Sequence, residues 1–274
     1  RDLWYSEGHI NYYYGGQYFA VFLTKLSHTK VELTYNLMRT FVAGLAFAMP
    51  FSLVYQMMSD RMKGQQKSEK VIKGLPFAAG FTAGTAVSIT GNMHYVIYAQ
   101  IIPLIEKLTG KEVSSYWFPD ATRYIGYNPY REEDRTIHEF PCYSFVLGDL
   151  HAHVVNIMFV LLVIALLYVW LRGVRKKTVP VETSMKDGKF WKEQLLMPHL
   201  LVISALLGMF QWTNFWDFVI YYVVTLGTVL FANIIRFQGK IKKIMVVTFA
   251  QMAEIYLLAY LVILPFTLQF DTMV

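Results

Sequence analysis

The densest chemistry in the sequence lies between His138 and His153. His138-Glu139 precedes Pro141, and Asp149-Leu-His151-Ala-His153 runs directly into an apolar stretch. Imidazoles exchange protons near neutral pH, and both imidazoles and carboxylates ligate divalent cations. Asp149, His151 and His153 stand at i, i+2 and i+4. An extended segment places all three on one side, whereas a helix that begins early places Asp149 and His153 on one face. Imidazole with carboxylate suits Zn²⁺ or Mn²⁺, and carboxylates working with phosphate oxygens suit Mg²⁺. Asp149 can instead cap the following helix by accepting from its first N–H groups. Glu139 reads either as a general base folded back to the same pocket or as a solvated loop acid. Pro141 requires the chain before it to be extended or turning.

Three smaller clusters accompany this one. Asp2-x-Trp4 is followed by Asn11-Tyr12-Tyr13-Tyr14, Trp117 is followed by Arg123, and Asn214-Phe-Trp216-Asp217 stands before another apolar run. The tyrosines read as an aromatic belt at headgroup depth. Arg123 offers a planar fork for an anionic headgroup or diphosphate. For Asn214 and Asp217 the plain alternative is helix capping. The single cysteine, Cys142, excludes an internal disulfide and any multi-cysteine metal site, and its proximity to His138 is a weak sign of a nucleophile. Phosphate-binding glycine loops, HExxH and GxSxG do not occur.

The elements that must carry these groups are membrane helices. Of 274 residues, 55% are hydrophobic and 16% charged, against about 25% charged in a typical soluble domain. Mean hydropathy is +0.36. These values argue against a soluble enzyme, a disordered tail or a nucleic-acid module, in spite of the net charge of +6. A membrane span needs roughly 20 mostly apolar residues. The stretches Thr34–Met58, Leu75–Ala99, His153–Leu171, Met197–Trp212, Phe218–Ile235 and Ile244–Leu268 approach or meet that length. The expected fold is therefore all-α and polytopic, one transmembrane domain over 1–274 with about six spans and a long loop near 100–151. Segment Ile10–Leu26 is too short and tyrosine-rich to span and reads as an interfacial or re-entrant helix. Gly80 and Gly84 fit close helix packing. Arg39 and Glu254 stand alone inside spans and are expected to pair between helices. The chain begins at Arg1 without a signal-like segment, which reads as a piece of a longer protein.

Charge supplies an orientation. The segments Asp60–Lys73, Arg172–Lys192 and Arg236–Lys243 hold 16 of the 25 cations, which marks them as cytoplasmic. The opposite side holds 13 of the 19 acids, together with the histidine cluster and most of the Trp- and Tyr-bearing segments.

Several of these blocks are familiar together. Asp2-x-Trp4, Ile10-Asn11-Tyr12-Tyr13-Tyr14-x-Gly16-Gln17-Tyr18 and Tyr35-Asn36-Leu37 resemble the opening of the YYY-domain family of uncharacterised polytopic membrane proteins from bacteria and archaea. The stretch Ile137-x-Glu139-Phe140-Pro141-x-x-Ser144-Phe145-x-x-Gly148-Asp149-Leu150-His151-x-His153 is similar to that family's most recognisable block, and Trp117 to Arg123 and Asn214-x-Trp216-Asp217 to two smaller ones. The resemblance implies an architecture like the GT-C glycosyltransferases, multispan enzymes that use a lipid-phosphate sugar donor and commonly a divalent metal. It marks Asp2, Glu139 and Asp149 as catalytic candidates. Tyr12, Tyr13, Tyr14, Arg123, Asn214, Trp216 and Asp217 become candidates for substrate binding, and Asp149, His151 and His153 for Mg²⁺, Mn²⁺ or Zn²⁺.

The expected activity is then glycosyl transfer from a polyprenyl-phosphate sugar, on the outer side of a prokaryotic plasma membrane, with lipid and no nucleic acid as partner. The alternatives are a transporter or channel, whose ionisable groups would lie mid-span, and a metal-dependent lipid-phosphate hydrolase with water as the acceptor.

Overall fold

The computed structural model describes residues 7–8, 11–65, 68–91, 96–112, 122, 139–176 and 184–270. Among them there is helix and no strand. In chain order the helices are α1 (Gly15–Ser27), α2 (Val31–Met62), α3 (Glu69–Ser88), α4 (Ile102–Thr109, entered through a π turn at Ile97–Ile101), α5 (Pro141–Leu147), α6 (Ala152–Lys176), α7 (Gly188–Leu195), α8 (Pro198–Thr213), α9 (Phe215–Phe237) and α10 (Ile241–Thr267).

Four of them, α2, α6, α9 and α10, are long and apolar enough to cross a membrane, and α7 with α8, bent by 50° at their junction, is long and apolar enough together to form a broken span or a re-entrant loop. The protein is an all-α, polytopic membrane protein. The bend follows from Pro198: it has no N–H to give to α7, and it holds Met197 extended at φ −77° and ψ 119°. The stretch Leu75–Ala99, expected as the second span, is not one continuous helix among the described residues. α3 ends at Ser88, where Ser88 Oγ turns back to the Gly84 carbonyl at 2.7 Å and Thr90 Oγ1 to that of Ala86. Such hydroxyls compete for the backbone acceptors that a helix end leaves open, and the Gly/Thr/Ser content of this stretch dilutes its hydropathy. The expected N-terminal helix is α1, with Tyr18, Phe22 and Leu26 exposed.

The chain divides into two compact units, Thr29–Val154 and the remainder, Arg1–His28 with Val155–Val274. In the larger unit, Ile203, Leu207 and Phe210 of α8 are completely buried against Val229 and Ala232 of α9 and Ile255 and Ala259 of α10, with Val163 of α6 in the same cluster. A Cβ at Gly208 would stand 2.5 Å from the Ala259 carbonyl oxygen, so the absent side chain is what lets α8 and α10 touch. Close backbone approach at small residues is the usual route to helix association in lipid, where apolar burial between helices has little to gain. The outward faces are apolar as well: Phe249 is 76% exposed and Val223 60%. Large exposed aliphatic and aromatic faces suit hydrocarbon and not water.

In the smaller unit α3 packs along α2. Cβ atoms at Gly80 and Gly84 would lie 2.8 and 2.9 Å from the carbonyl oxygens of Phe51 and Phe47. The pairs Phe47–Phe81 and Phe51–Phe77 meet edge to face on either side of this crossing.

Candidate functional site

The histidine cluster belongs to the smaller unit and is built on a left-handed glycine turn. Phe140 is extended, Pro141 starts α5, and the helix ends at Gly148 in the left-handed region, φ +77°. The N–H groups of Gly148 and Asp149 both donate to the Ser144 carbonyl, at 2.8 and 2.9 Å, closing the helix in the double-bonded manner that favours glycine. Glycine is required here twice, because a Cβ would also overlap the guanidinium of Arg39, which lies against this residue. Beyond the turn, the Leu150 N–H donates to Tyr35 Oη at 3.4 Å and the Leu150 side chain is buried. α6 starts at Ala152. The segment from Asp149 to His151 is therefore non-helical and tethered at Gly148 and Leu150, and the side chains of Asp149 and His151, two residues apart, meet on one side of it.

This backbone brings four side chains together. His151 Nδ1 donates to Asp149 Oδ2 at 2.7 Å and lies 3.3 Å from Glu139 Oε2. His153 Nε2 donates to the Glu139 carbonyl oxygen at 3.0 Å, and the two imidazole rings stand 5.2 Å apart. Glu139, His151 and His153 each offer one ligand atom within 4.8 Å of the others. Glu139 thus folds back to the histidines, ten residues ahead of Asp149. The three converging donors are Glu139, His151 and His153, while Asp149 stands behind His151. α6 begins at Ala152, three positions beyond Asp149, so it is His151 and not Asp149 that immediately precedes the helix. The side chains of Glu139 and His151 are 29% and 38% exposed, so the cluster remains open on one side.

Arg39 was legible only as an isolated charge in a span. Its Nη1 donates to Asn36 Oδ1 at 3.0 Å, one turn back on α2, and its Nε is buried without a hydrogen-bond partner. It has no ion pair among the described residues. The signal that marks it is the cost of an arginine in an apolar helix, which demands a reason; the reason here is the turn that carries Asp149. Cys142 sits half-buried in α5, and burial pushes its thiol above the usual range, the opposite of what an activated nucleophile needs.

The other expected residues lie in the larger unit or outside the described residues. Tyr14 meets Trp212 and Phe266 edge to face at 5.6 and 5.9 Å, Tyr13 stacks on Phe270 at 5.8 Å, and Tyr12 leans on Tyr13 at 5.4 Å. The triplet therefore ties the start of α1 to the ends of α8 and α10. Asp217 Oδ2 accepts from Asn156 Nδ2 at 2.6 Å and Asn214 Nδ2 at 2.9 Å, and Thr213 Oγ1 donates to Asn156 Oδ1 at 2.7 Å. Asn156 is completely buried with both its amide nitrogen and its amide oxygen hydrogen-bonded, and nothing in its sequence position marks it. Trp216 is 70% exposed. Asp2, Arg123, Trp117 and His138 fall outside the described residues.

Searches of the curated proteins and of the solved structures returned no match. One family model, described as "Uncharacterized membrane protein (DUF2298)", matches residues 1–274. With its spanning helices and its whole length covered, the chain belongs to the DUF2298 family of uncharacterised membrane proteins.

Proposed function

We propose that this chain carries the metal-dependent site of a membrane glycosyltransferase that takes its sugar from a polyprenyl-phosphate donor on the outer side of a prokaryotic plasma membrane. The observation that carries the reading is the convergence of Glu139, His151 and His153 within 4.8 Å of one another, at the mouth of a span. Glu139, His151 and His153 would hold the ion, and Zn²⁺ or Mn²⁺ suits this donor set best. Such an ion supplies charge to stabilise the departing phosphate oxygens.

The chain's own residues do the rest. Asp149 fixes the tautomer and orientation of His151, as an outer carboxylate does for metal-bound imidazoles. Arg39 holds the turn on which Asp149 sits and brings a positive charge to the same unit. In the transfer, the acceptor hydroxyl oxygen forms a bond to the anomeric carbon. The bond from that carbon to the phosphate oxygen breaks, the lipid phosphate leaves with the electron pair, and the acceptor proton passes to a carboxylate. With Glu139 committed to the ion, Asp2 is the sequence's remaining candidate for that base. The sidedness rests on the basic segments being cytoplasmic.

A second reading, hydrolysis of a lipid phosphate, is favoured by one observation: two histidines and a glutamate are the donor set that zinc hydrolases use to activate water. A transporter is disfavoured because the cluster sits at a helix mouth and not mid-span. The test uses the purified full-length protein with a polyprenyl phosphate carrying a radiolabelled hexose, with and without chelator. Metal-dependent transfer of label to an acceptor, lost in Glu139→Gln and His151→Ala, is the expected result. Release of free hexose or inorganic phosphate alone selects the hydrolase, and undiminished transfer in both variants overturns the metal site.

A further inference from the structure

A second site lies in the larger unit, at the bend between α7 and α8. A cavity of about 620 Å³ opens there between Trp170 and Val174 of α6, Leu196–Pro198 at the bend, and Ile235 and Arg236 near the end of α9. That volume is in the range of small-molecule sites, roughly 300–1,000 Å³. The walls are mostly apolar, and Arg236 is the one cationic side chain besides the titratable His199 that lines them.

Arg236 is held rigidly but not neutralised. Its Nη1 donates to Asn233 Oδ1 at 3.1 Å and its Nη2 to Gln194 Oε1 at 2.5 Å. Those amides belong to a buried lattice: Gln251 Nε2 donates to the Gln194 carbonyl oxygen at 3.0 Å, and Asn233 Nδ2 donates to Gln251 Oε1 at 2.8 Å and to Thr248 Oγ1 at 3.0 Å. Gln194, Asn233 and Gln251 are all neutral and buried. Two of the five guanidinium donors are thereby used, and no carboxylate pairs with Arg236 among the described residues. An arginine fixed at a helix end by neutral amides keeps its full charge and its remaining donors for an anion. Its fork matches phosphate oxygens.

We infer that this cavity binds the phosphate head of an anionic phospholipid, with Arg236 on the phosphate and the apolar walls of α6 and the α7–α8 bend along the start of the acyl chains. Basic pockets between membrane helices are suited to such headgroups. The sequence around the site is basic, with Lys189 and Lys192 on α7 and Lys240 and Lys242 just past α9, which favours an anionic over a zwitterionic lipid. Glu193 also lines the cavity and opposes an anion, so its removal should tighten binding. Gly173 lines the cavity from α6, and a Cβ there meets nothing within 4 Å. A β-carbon at this position therefore enters open space on the cavity wall, and a larger side chain built on it would occupy cavity volume.

The test is native mass spectrometry of the full chain released from detergent, titrated with phosphatidylglycerol, with phosphatidylcholine, and with inorganic phosphate as competitor. The expected result is retention of phosphatidylglycerol over phosphatidylcholine by about tenfold. That preference should be lost in Arg236→Gln, and in Gly173→Leu with thermal stability unchanged, and should be enhanced in Glu193→Gln. If Arg236→Gln does not fold, Gly173→Leu decides alone. Equal binding of the two lipids, a preference that survives in folded Arg236→Gln or in Gly173→Leu, or full displacement by millimolar inorganic phosphate would each overturn the inference.

Discussion

Asp149 offers the sharpest test of the metal-site geometry, because it touches a donor without being one. Its Oδ2 receives the Nδ1–H of His151 at 2.7 Å, and removal of such an outer partner typically weakens metal binding by about 10–100-fold, or ~1.4–2.7 kcal/mol. The two substitutions at this position should separate. Asp149→Asn keeps an oxygen that can accept the same hydrogen bond but loses the charge, and belongs at about tenfold. Asp149→Ala leaves the imidazole free to rotate and belongs near 100-fold, at the upper end of the ~10–100 range. Glu139→Gln, which removes a direct donor, should cost more than either. The assay is competition with a chromophoric zinc chelator on the purified full-length protein in detergent. Asp187→Asn is the control: Asp187 caps α7 by accepting from the Lys189 N–H at 2.9 Å, in a different unit, and its loss should leave affinity unchanged. The reasoning is refuted if Asp149→Ala binds zinc as the unaltered protein does, or if Asp149→Asn and Asp187→Asn have equal effects.

Two further outcomes follow from the same unit. Gly148→Ala should destabilise the protein by about 1–2 kcal/mol for the left-handed backbone alone, and by more for the overlap with Arg39; adding Arg39→Ala should return only the overlap part, so strictly additive losses in thermal unfolding would count against the packing described. Cys142 should react with iodoacetamide more slowly than a free thiol at pH 8, because a raised thiol pKa leaves less thiolate at that pH, and a rate equal to that of free cysteine would refute its burial.

The membrane class of the protein was readable from the sequence because hydrocarbon thickness imposes a local length and a local composition. The spans at α2, α6, α9 and α10 are recognisable there for that reason. Leu75–Ala99 reads as one apolar stretch because its Gly, Thr and Ser residues sit between apolar neighbours, whereas the point at which α3 stops being helix depends on side-chain bonds such as Ser88 to Gly84. Gly80 and Gly84 announced close packing, yet only the carbonyls of Phe47 and Phe51 identify the partner surface. Gly208 carried the same signal alone in α8 and went unread, since one glycine names no neighbour.

At the candidate site, the residue types and their crowding before a span belong to the sequence: Glu139, Asp149, His151 and His153 could be named from spacing and chemistry. Their division of labour could not. Whether Glu139 or Asp149 joins the two histidines depends on how the nine residues between them fold back, and that is decided by the Pro141 helix start, the left-handed turn at Gly148 and the contact of that turn with Arg39, more than a hundred residues earlier in the chain. Arg236 is the parallel case. Its charge was counted with a basic loop, and only the buried amides of Gln194, Asn233 and Gln251 make it the fixed cation of a cavity. Hydropathy and spacing act over a few neighbouring residues, whereas the partners of a buried charge come from wherever the packed helices bring them.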